Sequence, residues 1–332
     1  MTIPFSLAAE ASSSAKFANF DVAPWQWAAF VALVATLLLV DVLLVHRTAH
    51  VVSFKEAAIE SAVWITIGTS FTLLMLVWQG GQAGGEYLAG YLIEKSLSVD
   101  NVFVWAVIFS YFRVPGQYQF RVLFWGIFGA LVLRAIFIFA GVALIERFDF
   151  VLYVFGILLL YSAFKIARHQ EAEVNPESSL VLRAVRKAVP STDEYDGQKI
   201  FTRRNGKRLA TPLFAVLIMI ETTDVVFAVD SIPAILAVSR EPFIVFSSNA
   251  FAILGLRALY FLLAGMAGRF RYLNLGLGVI LAFVGVKMLI TDIYHFPTWA
   301  SLAVIVVVLT VAIVASLRAD KREHEGTGQV SG

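Results

Sequence analysis

Cysteine is absent from all 332 residues. Disulfides, thiolate metal centres and cysteine nucleophiles are excluded with it, which leaves oxygen donors and five histidines as metal ligands. Charge is scarce as well: Asp, Glu, Lys and Arg make up 15% of the chain, against roughly 25% in soluble domains. With 59% hydrophobic residues and a mean hydropathy of +0.79, the chain reads as an integral membrane protein. No phosphate-cradling glycine loop occurs, since "GGQAGGEYLAGY" lacks the P-loop pattern, and this argues against transport driven by the chain's own ATP hydrolysis. Nucleic-acid signatures, haem and flavin motifs are missing too. The chain is therefore not read as an enzyme, and no prosthetic group is expected.

What is present is a series of apolar segments long enough to cross a bilayer, which takes about 20 residues each. Nine are read, at 25–45, 57–79, 85–112, 121–144, 149–167, 212–238, 243–266, 271–293 and 298–317. They define an all-α polytopic domain over 25–317, preceded by a polar tail (1–24) without the pattern of a cleaved signal peptide and followed by a tail at 318–332. The only long polar segment, 168–211, carries Arg168, Arg183, Arg186, Lys187, Lys199, Arg203, Arg204, Lys207 and Arg208, so it is placed in the cytoplasm. Alternation then puts Arg47, Lys55, Arg113, Arg121, Arg269, Arg271, Arg318, Lys321 and Arg322 inside, and only Lys16, Arg147 and Arg240 outside. The N-terminus is expected outside and the C-terminus in the cytoplasm. Within the basic loop, Asn205-Gly206 between short flanks predicts a two-residue hairpin.

Acids recur at membrane depth. "EKSLSVDNVFVWAV" (Glu94 to Val107) aligns with "DVVFAVDSIPAILA" (Asp224 to Ala237), pairing Glu94 with Asp224, Asp100 with Asp230 and Asn101 with Ser231. Downstream, "LRAIFIFAG" matches "LRALYFLLAG", so Arg134 pairs with Arg257, and Phe148, Gly156 and Lys165 match Phe270, Gly278 and Lys287. Segments 85–167 and 212–293 thus read as two copies of a three-helix unit. Three crossings per unit make the second copy inverted, the arrangement in which secondary transporters place a midmembrane site at the repeat interface. The third and sixth helices are expected to form the central pair.

A carboxylate in the bilayer centre costs about 2.5 kcal/mol or more, so such groups face a cavity, a partner or a substrate path. Asp41 in "LLLVDVLLV" and Glu221, three residues before Asp224, join the set. Pro233 predicts a distortion that frees the Val229 carbonyl beside Asp230, and carboxylates with freed carbonyls are hard ligands suited to Mg²⁺, Ca²⁺ or Mn²⁺. Arg134 and Arg257 are read as members of structural ion pairs. The histidines (46, 50, 169, 295 and 324) lie in or beside loops and form no metal pair. Surplus carboxylates that take up protons when a metal leaves point to exchange of a divalent ion for protons.

The motifs "EKSLSVDNVFV", "RVLFWGIFGALVLR", "TPLFAVLIMIETTDVVFAVDSIPAI", "FSSNAFAILGLRALYFLL" and "GVKMLI" resemble those of the TerC family of bacterial membrane proteins, from about Asp41 to Lys287. The resemblance implies manganese export across the cytoplasmic (inner) membrane, with links in some members to tellurite resistance and to metal supply outside the cell. Carried over, it implies a metal site drawn from Asp41, Glu94, Asp100, Asn101, Glu221, Asp224, Asp230 and Ser231, not all on one ion. Expected partners are the divalent ion, protons and the lipid bilayer; a second copy of the chain and the secretion machinery stay open. A calcium exchanger, and a non-transporting accessory in tellurite or stress resistance, are the competing readings.

Overall fold

The computed structural model describes residues 17–42, 52–148, 150–168, 180–204, 206–263, 272–294 and 296–328. Its helices are α1 (Pro24–Val40), α2 (Phe54–Tyr111), α3 (Gly116–Arg147), α4 (Phe150–Ala167), α5 (Leu180–Ala188), α6 (Pro212–Leu236), α7 (Pro242–Leu254), α8 (Leu256–Leu263), α9 (Leu273–Leu289) and α10 (Thr298–Gly328). Two strands, β1 (Phe201–Arg204) and β2 (Lys207–Ala210), interrupt the series. Among the described residues six helices, with α7 and α8 taken as one, are long and apolar enough to cross a membrane, and α1 and α9 are shorter apolar helices.

Helix starts follow local chemistry. Pro24, Pro212 and Pro242 stand in the first turns of α1, α6 and α7, where a missing N–H costs nothing. Ser53 caps α2 in a reciprocal pair with Glu56: the Glu56 N–H donates to Ser53 Oγ (3.3 Å), and the Ser53 N–H donates to Glu56 Oε2 (3.4 Å). The 58 residues of α2 would reach about 87 Å if straight, nearly three bilayer cores. Gly80 folds the helix instead, at φ 89° and ψ 179°, a left-side conformation that glycine tolerates best. The two arms run back along each other, with the Tyr87 hydroxyl donating to the Gly68 carbonyl at 2.8 Å and Leu76 against Gly84. They correspond to the segments read at 57–79 and 85–112.

The polarity of the molecule is reversed relative to a water-soluble domain. Large apolar side chains such as Val77, Ile157 and Tyr161 face outward, while Glu86, Glu94, Asn101, Arg134, Asp224 and Arg257 are buried. Helices α4 and α9 form the most extensive pair, and α2 packs against α6, α7 and α8 while α3 packs along α6. An aromatic group at one end, Trp27 and Phe30 against Phe71, Phe243 and Phe251, fastens α1 to α2 and α7.

The hairpin expected at Asn205-Gly206 forms: Arg204 pairs with Lys207 and Phe201 with Ala210, and Gly206 takes φ 75°. Tyr195 ties the loop to the bundle by donating to the Phe112 carbonyl at 2.8 Å. Hydrogen bonds from Thr202 and Lys199 hold the Asp196 carboxyl below its ordinary range.

Four sequence readings change. Pro233 does not break α6, which continues through it to Leu236, although it leaves the Val229 carbonyl without the N–H four residues on. The interruption is in the next span, where Gly255 (φ −85°, ψ 0°) separates α7 from α8. The stretch read as a tail from 318 is helical through Gly328. The basic loop contains α5, which the sequence reading did not separate. The N-terminal tail through residue 16, Arg47, Asn205, Arg269, Phe270, Arg271 and histidines 46, 50, 169 and 295 lie outside the described residues.

Candidate functional site

The polar centre lies where α2, α3 and α6 meet, and small residues bring these helices together. A Cβ on Gly126 would come within 3.0 Å of Ile220, one on Gly129 within 2.0 Å of the Glu221 carboxylate, and one on Gly141 within 3.0 Å of Leu236. Positions thus rise together along α3 and α6, which run parallel at close range. Gly90 lies against Ile235 while Asn101 meets Asp224, so the second arm of α2 runs antiparallel to α6.

Arg134 reaches from α3 into this junction and is 1% exposed. Its Nε donates to Asp224 Oδ2 at 3.1 Å and one terminal nitrogen, Nη2, to Asp224 Oδ1 at 2.9 Å, a two-pronged carboxylate contact. The other nitrogen, Nη1, donates to Glu94 Oε1 and, at 3.2 Å, to the Ser231 hydroxyl. Asn101 Nδ2 donates to Asp224 Oδ1 at 3.4 Å, and the Ser98 hydroxyl donates to Glu94 Oε1 at 3.3 Å. Every member is buried: Glu94 is 0% exposed and Asp224 2%. Two acids therefore share one arginine. Two oxygens stay without a hydrogen-bond partner, Glu94 Oε2 and Asn101 Oδ1.

Four of the eight residues in the expected metal set, Glu94, Asn101, Asp224 and Ser231, gather here around Arg134. The other four lie elsewhere. Asp230 is half-buried and accepts a hydrogen bond from Ser162 of α4 at 2.7 Å. Glu221 fills the space that Gly129 leaves open. Asp100 is half-buried beside Asn101, and the hydrogen bonds of Arg134 go to Glu94, Asp224 and Ser231 instead. Asp41, at the end of α1, is held by Arg257 of α8 in a two-pronged contact, and Glu60 joins that arginine at 2.6 Å. Among the described residues no three acid or histidine side chains converge closely enough to hold a metal ion.

The sequence reading missed Ser98, Ser162 and Glu60. Ser98 follows Glu94 by four residues, one helical turn, and that spacing was available as a signal. Glu60 lies in the polar start of α2, where an acid resembles an ordinary surface residue.

The family model described as "Integral membrane protein TerC family" matches residues 79–324. An uncharacterized membrane protein of Myxococcus xanthus is 50% identical over 294 residues, covering 89% of this chain and 92% of that protein. Alx of Escherichia coli (strain K12), named as a proposed membrane-bound redox modulator, is 48% identical over 314 residues, 92% of this chain and 98% of its own length. A membrane protein of Rickettsia felis is 39% identical over 291 residues, 88% of this chain and 97% of its own. No solved structure matches. A model that spans α3, α6 and α8 whole and the second arm of α2, together with relatives aligned nearly end to end, settles the kinship: this chain belongs to the TerC family of integral membrane proteins.

Proposed function

We propose that the protein is a secondary transporter of the bacterial inner membrane that exports a divalent metal ion, Mn²⁺, from the cytoplasm in exchange for protons. The observation that carries this reading is the surplus of oxygen around Arg134. Two buried carboxylates, a side-chain amide and a hydroxyl surround a single positive charge, and Glu94 Oε2 and Asn101 Oδ1 lack partners. Unpaired buried acceptors of this kind cost about 1–3 kcal/mol each, and a small hard cation satisfies them where apolar neighbours cannot.

In this conformation the Arg134 guanidinium serves as the counter-ion. Cargo and arginine are then alternative partners for Glu94 and Asp224: binding the ion requires Arg134 to release at least one carboxylate. Asp100 and Asp230 flank the cluster along antiparallel helices, each six residues, or about 9 Å of helix rise, from the acid of its own motif. They would pass the ion into and out of the central set. Because carboxylates must be deprotonated to bind a metal, affinity should fall as pH is lowered, which couples loss of the ion to uptake of protons. Termini outside and inside, respectively, follow from the distribution of arginine and lysine.

Calcium satisfies the same oxygen donors, so an exchanger for Ca²⁺ is the nearest neighbour of this reading. A role like that in the name of Alx has no thiol chemistry to draw on in this chain, which lacks cysteine. The test is flux of Mn²⁺, Ca²⁺ and Mg²⁺ in proteoliposomes under an imposed pH gradient, for the parent and for Asp224→Asn. The variant removes one negative charge yet leaves Arg134 paired with Glu94, so folded protein is expected with manganese flux lost. Parent-level flux in Asp224→Asn, or no flux of any metal in the parent, overturns the reading and favours a non-transporting accessory role.

A further inference from the structure

Lys95 is a half-buried charged side chain that belongs to neither arginine cluster. Lys95 projects from the second arm of α2 toward the break between α7 and α8. Its ammonium donates to the Ala252 carbonyl, in the last turn of α7, at 3.2 Å. A Cβ on Gly255 would lie 2.8 Å from Lys95 Nζ and 2.9 Å from Trp64 Cβ, so glycine at the break makes the space in which the ammonium sits. The break is no surface fray. In the span formed by α7 and α8, 89% of the apolar stretch is buried, against 39% at most in the other five, so the interrupted helix is the most enclosed of the bundle. The helix resumes at once, the Leu259 N–H donating to the Gly255 carbonyl at 3.1 Å.

The end of a helix carries partial negative charge on its last carbonyls. Buried interrupted helices commonly use such carbonyls to hold a cation. We infer that the α7–α8 break is a monovalent-cation site permanently filled by the Lys95 ammonium.

A second observation, independent of the contact, supports the assignment. In the alignment of the two repeats Lys95 corresponds to Val225, and Gly255 corresponds to Val132. Both differences occur together: where valine replaces glycine, α3 runs through Val132 as one uninterrupted helix, and where valine replaces lysine no tethered charge is supplied. Lysine and break are two halves of one device. The neighbouring charges on the packed elements are Glu94 beside it on α2, Glu60 on the first arm, Asp41 at the end of α1 and Arg257 on α8. The last three are bound to one another, which leaves the break to Lys95.

The experiment reads folding alone, so its outcome is separate from that of any flux assay. Parent, Lys95→Ala, Lys95→Met and Lys95→Arg are purified in detergent, and thermal unfolding is followed in sodium, potassium or methylammonium chloride, with choline chloride at equal ionic strength as reference. The expected result is that parent and Lys95→Arg ignore the salt. Lys95→Ala should unfold at lower temperature and recover by several degrees in methylammonium or an alkali cation. Lys95→Met fills the space without charge and should stay low in every salt. If the alanine and methionine variants fail to accumulate in the membrane while Lys95→Arg does accumulate, the requirement for charge stands. A methionine variant as stable as the parent, an alanine variant indifferent to every cation, or failure of Lys95→Arg along with the others overturns the inference.

Discussion

Arg134 and Arg257 are matched in the repeat alignment and almost equally buried, at 1% and 2% exposure, yet they keep different company. Each holds two acids. Arg134 draws both from helices that face each other across the bundle, α2 and α6, and its surroundings end with acceptors left over, Glu94 Oε2 and Asn101 Oδ1. Arg257 turns instead to Asp41 on α1 and Glu60 on the first arm of α2, and lies 4.2 Å over the Phe120 ring. In the proposed transporter Arg134 stands where charge would be exchanged, while Arg257 ties α1 and the first arm of α2 to α8.

The largest effect that can test this contrast is removal of each guanidinium. Arg134→Ala leaves two fully buried carboxylates uncompensated and should cost about 3–5 kcal/mol, read as a severe loss of folded protein in the membrane. Arg257→Ala should cost less, because Glu60 is 11% exposed and nearer to solvation. Equal losses of folded protein would erase the distinction. A smaller effect is expected of Asp41→Asn, about 1–3 kcal/mol in detergent unfolding, with metal flux per folded molecule unchanged because Arg257 retains Glu60. Were Asp41→Asn to stop flux as Asp224→Asn is expected to, both arginines would serve the same site. The smallest is Phe120→Leu, which removes the ring under Arg257 and should lower stability by about 0.5–2 kcal/mol without touching flux; an altered metal affinity would show that Arg257 reaches the cargo after all.

The positions of buried charge were legible because charge is rare in this chain and conspicuous inside apolar runs. Glu94, Asp100, Asn101, Asp224, Asp230 and Ser231 could be linked before any coordinates, since the two motifs align, but not that Glu94, Asn101, Asp224 and Ser231 alone would meet at Arg134. What the sequence did not disclose was partner choice. Two arginines at matching positions carry no mark that one will turn to α6 and the other to α1, because that depends on how the helices pack. Asp230 and Ser162 meet for the same reason. The break in the seventh span was hidden for another: a single glycine in an apolar helix is ordinary, whereas Pro233 looked disruptive and yet α6 runs on through it to Leu236. The hairpin at 201–210 was readable because its turn chemistry is local.

The pairing of α4 with α9 has a mechanical consequence. A Cβ on Gly285 would sit 2.9 Å from the Gly156 carbonyl and one on Gly156 3.1 Å from the Gly285 carbonyl, so the two backbones touch with no side chain between them. Any side chain larger than hydrogen at either position would wedge the pair apart, so α4 and α9 keep this spacing only while both positions remain glycine, with Leu289 filling the space over Gly156 and Leu160 that over Gly285.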